Sequence, residues 1–146
     1  MKLIYVAMPY GGKKEVEGRV AKILQDLNSR EYRIPHRLRK QLPGIDIEDK
    51  YTYISPVLAF GAFYHALAYE DGIDDCLTLL ARCDALIILG EDWTTSRGVM
   101  AEYAFAQARG IPVLYMPKPE EELEDDTSNK EEELEDDASN KPVYLG

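Results

Sequence analysis

Short apolar runs recur along the first 116 residues and predict four β-strands. They cover residues 2–7, 51–55, 84–90 and 111–116. The runs at 2–7 and 84–90 are almost continuously apolar, which is typical of strands that are buried on both faces of a sheet.

Helical spacing of apolar residues appears between these runs. It predicts helices over 14–30 and 72–83, and an Ala-rich helix over 97–109 that ends at Gly110. Residues 57–70 are aromatic and small and fit either a loop or a helix. In 31–50, prolines, a glycine and clustered basic residues predict no long element.

Strands that alternate with helices indicate βαβ units and a parallel sheet. We therefore predict a small doubly wound, Rossmann-like three-layer α/β sandwich with a mostly parallel sheet of four or five strands. In such sheets ligands bind beyond the carboxyl ends of the strands, so functional residues are expected in the loops that follow them.

The charge of the chain is concentrated near its end. The formal net charge is −10, and residues 120–141 carry all of it, which leaves the rest of the chain neutral. This segment is a duplication, EEELEDDTSNK followed by EEELEDDASNK. Each copy holds a single Leu, so stacking the copies would bury little. We predict a domain over 1–118 and an acidic tail over 119–146, either disordered or loosely helical, or a segment that binds a specific partner.

Several protein classes are excluded or disfavoured. A neutral body argues against binding to nucleic acid by bulk charge, and no apolar run is long enough for a membrane helix. Cys76 and Cys83 form neither a disulfide framework nor a metal motif. We therefore expect a reduced, cytoplasmic protein with no metal and no cofactor.

The closing PVYLG is apolar enough to dock on the body or on a neighbouring subunit, and we expect a homodimer or higher homo-oligomer.

The segment after the strand at 84–90 holds the most informative chemistry. Ser96 suits a helix N-cap and Gly98 lets a ligand approach the helix start, where free N–H groups favour anions. Glu102 lies almost two turns into the same helix. This spacing fits an anion site with a carboxylate facing the same cleft. It also fits a purely structural role, with Ser96 as a cap and Glu102 as a solvated residue.

The first loop adds a second candidate. Tyr10, Gly11 and Gly12 lie between the first strand and the first helix, at the same predicted edge of the sheet, and paired glycines can turn N–H groups toward a phosphate. An ordinary tight turn explains the glycines equally well.

The runs IYVAMPY, CDALIIL, WTTSRGVMAE and ARGIPVLYM together resemble the nucleoside 2-deoxyribosyltransferase-like superfamily, over roughly residues 1–116. The likeness is closest to its small bacterial and phage members and to its deoxynucleoside 5′-monophosphate N-hydrolases. The resemblance implies that Glu102 is the nucleophile that attacks C1′ of the sugar and that Tyr5 orients it. It implies an aspartate that supports departure of the base, for which Asp75 is chosen over Asp74.

The resemblance also implies a phosphate site. A serine at the position of Ser96 contacts the phosphate in the N-hydrolases, and the loop Tyr10–Gly12 is similar to their phosphate-facing loop. Together with Gly98, these residues form the expected substrate site. The expected partner is a small nucleotide or nucleoside, with neither nucleic acid nor a membrane.

Three functions follow as expectations. The first is an enzyme that cleaves the N-glycosidic bond of a (deoxy)nucleoside 5′-monophosphate and releases the base, with a transferase that moves the sugar between bases as its variant. The second is a nucleotide-binding module without catalysis. The third is an α/β interaction protein that binds no nucleotide.

Overall fold

The computed structural model describes residues 2–29, 34–42 and 50–124, and within them one parallel sheet of four strands. The strands are β1 (Lys2–Ala7), β2 (Tyr51–Ile54), β3 (Ala85–Leu89) and β4 (Val113–Met116). Their order across the sheet is β2-β1-β3-β4, and each neighbouring pair is parallel. The predicted α/β fold class is confirmed.

Five α-helices connect the strands in the described part of the chain. They are α1 (Lys14–Ser29), α2 (His36–Gln41), α3 (Pro56–Phe60), α4 (Tyr69–Leu80) and α5 (Arg97–Arg109). Short 3-10 helices cover Gly61–Phe63 and Trp93–Thr95. The bounds predicted for α5 are confirmed, and Gly110 ends it in a left-handed conformation. Helix α4 begins three residues earlier than predicted, and α2 was not predicted.

The helices cover both faces of the sheet, and successive side chains along each strand point to opposite faces. Ile4 and Val6 of β1 belong to one apolar cluster with α1 and α2, whereas Tyr5 and Ala7 belong to another with α4 and α5. The nearly continuous apolar run of β1 is thus explained by burial on both sides. None of the helices in the described ranges is long and apolar enough to cross a membrane.

The start of the predicted tail packs against this body. Residues 119–124 are helical, and Leu123 is 5% exposed, within the cluster that holds α1 and α2. Arg19 pairs with Glu120, and Arg37 Nε lies 3.2 Å from Glu122 Oε1. Residues 119–124, the first six residues of the predicted tail, therefore pack on the body. The rest of the tail, including PVYLG, lies outside the described residues.

Candidate functional site

A cavity opens where the carboxyl ends of β1 and β2 meet α3, α4 and the first turns of α5. The order of the strands reverses between β1 and β3, because the strand after β1 lies on one side of this pair and the strand after β3 lies on the other. Doubly wound sheets bind ligands at such a switch point. The walls are mostly apolar and aromatic. They are formed by Met8, Tyr10, Pro56, Val57, Phe60, Gly61, Phe63, Tyr64, Leu67, Ala68, Tyr69, Gly72, Ile73, Cys76, Ser96, Val99 and Glu102.

Glu102 is the carboxylate of this cavity. It lies on α5 and is only 5% exposed, and its Oε2 has no hydrogen-bond partner among the described residues. Burial raises the pKa of its carboxyl group to about 7, because the charged form is poorly solvated there. A buried carboxyl group with a free oxygen and a pKa near neutrality is suited to acid, base or nucleophilic chemistry.

Tyr5 lies directly behind Glu102. It is fully buried on β1, and its hydroxyl faces both the carboxylate and the thiol of Cys76. The hydroxyl lowers the pKa of Glu102, against the effect of burial, although Tyr5 Oη has no partner of regular hydrogen-bond geometry in the described part of the chain. Burial, and next the charge of Glu102, raise the pKa of Tyr5 far above its usual range. Tyr5 is therefore a neutral phenol beside the carboxylate.

The N-terminus of α5 forms another part of the wall. Ser96 is the N-cap, and its Oγ accepts a hydrogen bond of 3.3 Å from the N–H of Val99. The hydroxyl hydrogen of Ser96 is thus left to donate to a ligand. The Arg97 guanidinium lies 5.2 Å from the centre of the ring of Tyr69, which lines the cavity. Gly98 packs near this ring, and a Cβ there would make ordinary contacts at 3.6 Å, so a glycine is not sterically required.

The glycine loop lies beside the cavity. Tyr10 lines it, and its hydroxyl donates a 2.7 Å hydrogen bond to Glu17 at α1. Gly11 and Gly12 have φ values of 60° and 72°, a region that side chains strongly disfavour. A Cβ on Gly12 would lie 2.7 Å from the ring of Tyr64, which itself lines the cavity. Gly12 therefore packs closely behind Tyr64, and neither Gly11 nor Gly12 lines the cavity.

Asp75, unlike Tyr5, has no contact with Glu102 that would tie it to the cavity, and it does not line the cavity. It is exposed on α4, while Gly72, Ile73 and Cys76 of the same helix line the cavity. Asp74 is also exposed and is absent from the lining. The structure thus brings together Glu102, Tyr5, Tyr10 and Ser96, and leaves both aspartates outside.

Sequence reasoning missed Cys76 and the aromatic wall. Cys76 faces the cavity next to Tyr5, and burial raises the pKa of its thiol to about 11, so it is uncharged at neutral pH. Phe63, Tyr64 and Tyr69 come from the segment left open between loop and helix. The sequence signal for this wall was the run of aromatic residues itself, since aromatic side chains that are exposed together indicate a binding surface.

The described residues contain no group of three or more His, Cys, Asp or Glu side chains that could hold a metal ion.

The comparison with protein families gives one finding. Residues 48–115, which extend from just before β2 into β4, match a family described as "Domain of unknown function (DUF4406)". The matched region contains α4 and α5, and with them Ser96 and Glu102. No curated protein and no solved structure matches the chain.

Proposed function

We propose that this protein cleaves the N-glycosidic bond of a (deoxy)nucleoside 5′-monophosphate, with Glu102 as the nucleophile. The observation that carries the proposal is the Glu102 carboxyl group, buried in an aromatic cavity with one oxygen unpartnered and its pKa raised to about 7. The resemblance of the sequence to the nucleoside 2-deoxyribosyltransferase-like superfamily supports the same role for this residue.

In the first step, a carboxylate oxygen of Glu102 bonds to C1′ while the bond from C1′ to the base nitrogen breaks. The base leaves with the electron pair and takes a proton from solvent. In the second step, water attacks C1′, loses a proton and releases the sugar phosphate, which restores the carboxylate. Both steps pass through a cationic sugar, which a buried carboxylate stabilises.

The neighbours of Glu102 have supporting roles. The Tyr5 phenol keeps the carboxyl group partly ionised near pH 7, since it opposes the effect of burial. The aromatic side chains Phe63, Tyr64 and Tyr69 offer faces on which a base can stack. The Ser96 hydroxyl and the free N–H groups of α5 would hold the 5′-phosphate.

A second candidate is a nucleoside 2-deoxyribosyltransferase, in which a second base replaces water in the second step. One observation favours it: no Lys or Arg side chain lines the cavity in the described residues. An uncharged nucleoside needs no counter-charge there, whereas a phosphate does. Arg97, which lies beside the lining residue Tyr69, is the cation that a 5′-phosphate would use.

The experiment measures release of free base from a panel of deoxynucleosides and their 5′-monophosphates, with affinity measured separately by calorimetry. Glu102→Gln keeps the size of the side chain and removes the nucleophile, so we expect a loss of ~10⁴-fold or more in turnover with binding retained. Glu91→Gln, an exposed residue after β3, is the matched control and should keep native turnover.

The outcomes separate the alternatives. Turnover by Glu102→Gln at the native rate would reject the nucleophile. Nucleotide binding by the native protein without turnover would identify a binding module. Exchange of bases in preference to hydrolysis would identify the transferase.

A further inference from the structure

Residues 120–124, which begin the first copy of the acidic repeat, pack on the body of the protein. We call the surface they pack on the docking groove and define it by Arg19 of α1, Arg37 of α2 and the core position filled by Leu123. Arg19 Nη2 donates to Glu120 at 3.0 Å, and the N–H of Glu122 donates to the carbonyl of Lys118 at 3.0 Å. A single helical turn thus presents two carboxylates and one Leu to the groove.

The second copy carries the same set of groups. With an offset of eleven residues, Glu131, Glu133 and Leu134 correspond to Glu120, Glu122 and Leu123, and the first seven residues of the two copies are identical. Each copy has a net charge of −5. A groove that recognises two carboxylates and a Leu cannot distinguish the copies by their own side chains.

We propose that the two copies are interchangeable ligands of the docking groove, and that residues 131–134 occupy it within the same chain when the first copy is released. The tail would then have two registers on one body.

The two registers differ in the length of chain that connects β4 to the docked copy. Three residues lie between β4 and Glu120, and fourteen lie between β4 and Glu131. Closing the longer loop lowers the occupancy by about tenfold. Pro119 also precedes the first copy, where proline favours the first turn of a helix, whereas Lys130 precedes the second. The first copy should therefore dominate, with the second as its replacement.

Exchange within one chain predicts that the two leucines are not additive. In thermal unfolding of the full-length chain, Leu134→Ala should leave the Tm unchanged and Leu123→Ala should lower it slightly, because the second copy takes over. The double variant should lower the Tm by clearly more than the sum of the two, because neither copy can then fill the core position. Leu145→Ala, a Leu outside the repeats, is the matched control and should add nothing to Leu123→Ala.

Two further measurements keep the test decisive. In the Leu123→Ala variant, the methyl groups of Leu134 should show nuclear Overhauser effects to buried core methyl groups. If Leu123→Ala does not fold, the milder pair Glu122→Gln and Glu133→Gln should show the same excess loss in combination.

Equal Tm values for Leu123→Ala and the double variant would overturn the proposal. So would a loss that depends on protein concentration and accompanies a dimer in light scattering, because the second copy would then act between chains.

Discussion

The hydroxyl of Tyr5 on β1 and the carboxyl group of Glu102 on α5 are buried side by side and shift each other's pKa in opposite directions. The carboxylate raises the pKa of the phenol, and the phenol lowers the pKa of the carboxyl group. The link joins a central strand of the sheet to the helix that lines the cavity. It allows the ionisation of Glu102 to be tuned by a residue that does not line the cavity.

Removing the Tyr5 hydroxyl should raise the pKa of Glu102. In Tyr5→Phe only burial acts on the carboxyl group, so its midpoint should move above about 7. The acidic limb of base release should shift to higher pH by the same amount, since the nucleophile acts when ionised. An NMR titration of the Glu102 carboxyl carbon measures the shift without relying on turnover.

The matched control for this change is Tyr103→Phe, a half-buried tyrosine of α5 next to Trp93. It should leave the Glu102 midpoint in place. An unchanged midpoint in Tyr5→Phe would show that the two groups are not coupled.

Glu102 should make the native protein less stable as the pH rises. Its pKa is about 7 in the folded state and 4.5 as the reference for the unfolded chain. Between these values the folded state binds more protons, so the free energy of unfolding falls as pH increases through this window and stays low above it. The full loss is at most about 3 kcal/mol.

Glu102→Gln does not ionise and should escape this loss. Its Tm should exceed that of the native protein at pH 8, and the difference should shrink toward pH 5. Glu91→Gln should follow the native curve. Parallel curves for Glu102→Gln and the native protein would mean that burial of Glu102 costs no stability.

The sequence was sufficient for the sheet and for Glu102, but not for the register of α4. The strands could be predicted from their apolar runs because helices cover both faces of the sheet. Helix α4, in contrast, begins at Tyr69, inside the aromatic segment that fitted either a loop or a helix. As a result Cys76 faces the cavity and its neighbour Asp75 faces solvent. The three apolar residues that predicted this helix are too few to show which of the two neighbours faces the cavity.

Helix α2 escaped prediction for a similar reason. It is six residues long and holds one buried side chain, Leu38, among basic residues. A single buried position has no periodicity to detect. Its contribution, an arginine for Glu122, appears only once the tail is seen to pack beside it.

Asp75 provides a test of the geometry against the resemblance. Because it is exposed and outside the lining, Asp75→Asn should change base release by less than about tenfold, like Asp74→Asn beside it. Steady-state kinetics on the preferred substrate measures both. A loss of about a thousandfold in Asp75→Asn alone would assign it the support of the leaving base and would require α4 to move on substrate binding.

Ser96 should contribute to the binding of a phosphate. If its hydroxyl donates to the 5′-phosphate, Ser96→Ala should weaken monophosphates by about tenfold, equivalent to ~1.4 kcal/mol, and leave nucleosides unaffected. Loss of the N-cap should also cost about 1 kcal/mol of stability. Calorimetry with paired nucleosides and monophosphates measures the first effect.

Ser55→Ala separates the two roles of Ser96. Ser55 is the N-cap of α3, where its Oγ accepts from the N–H of Val57 at 3.2 Å, and it does not line the cavity. It should lose comparable stability with no selective effect on monophosphates. Equal affinity of the native protein for both ligand classes would remove the phosphate site and favour the transferase.

Two truncations should locate the end of the folded body. Ending the chain after residue 118 removes Leu123 from the core and both carboxylates from Arg19 and Arg37, so the protein should fold with a free energy of unfolding lower by about 2 kcal/mol or more. Most of this loss comes from Leu123, since the Arg19–Glu120 pair is largely exposed and contributes little. Ending the chain after residue 124 keeps these groups and should preserve native stability in urea unfolding. Equal stability of the two truncated chains would show that the folded body ends at residue 118 and that the packing of Leu123 does not stabilise it.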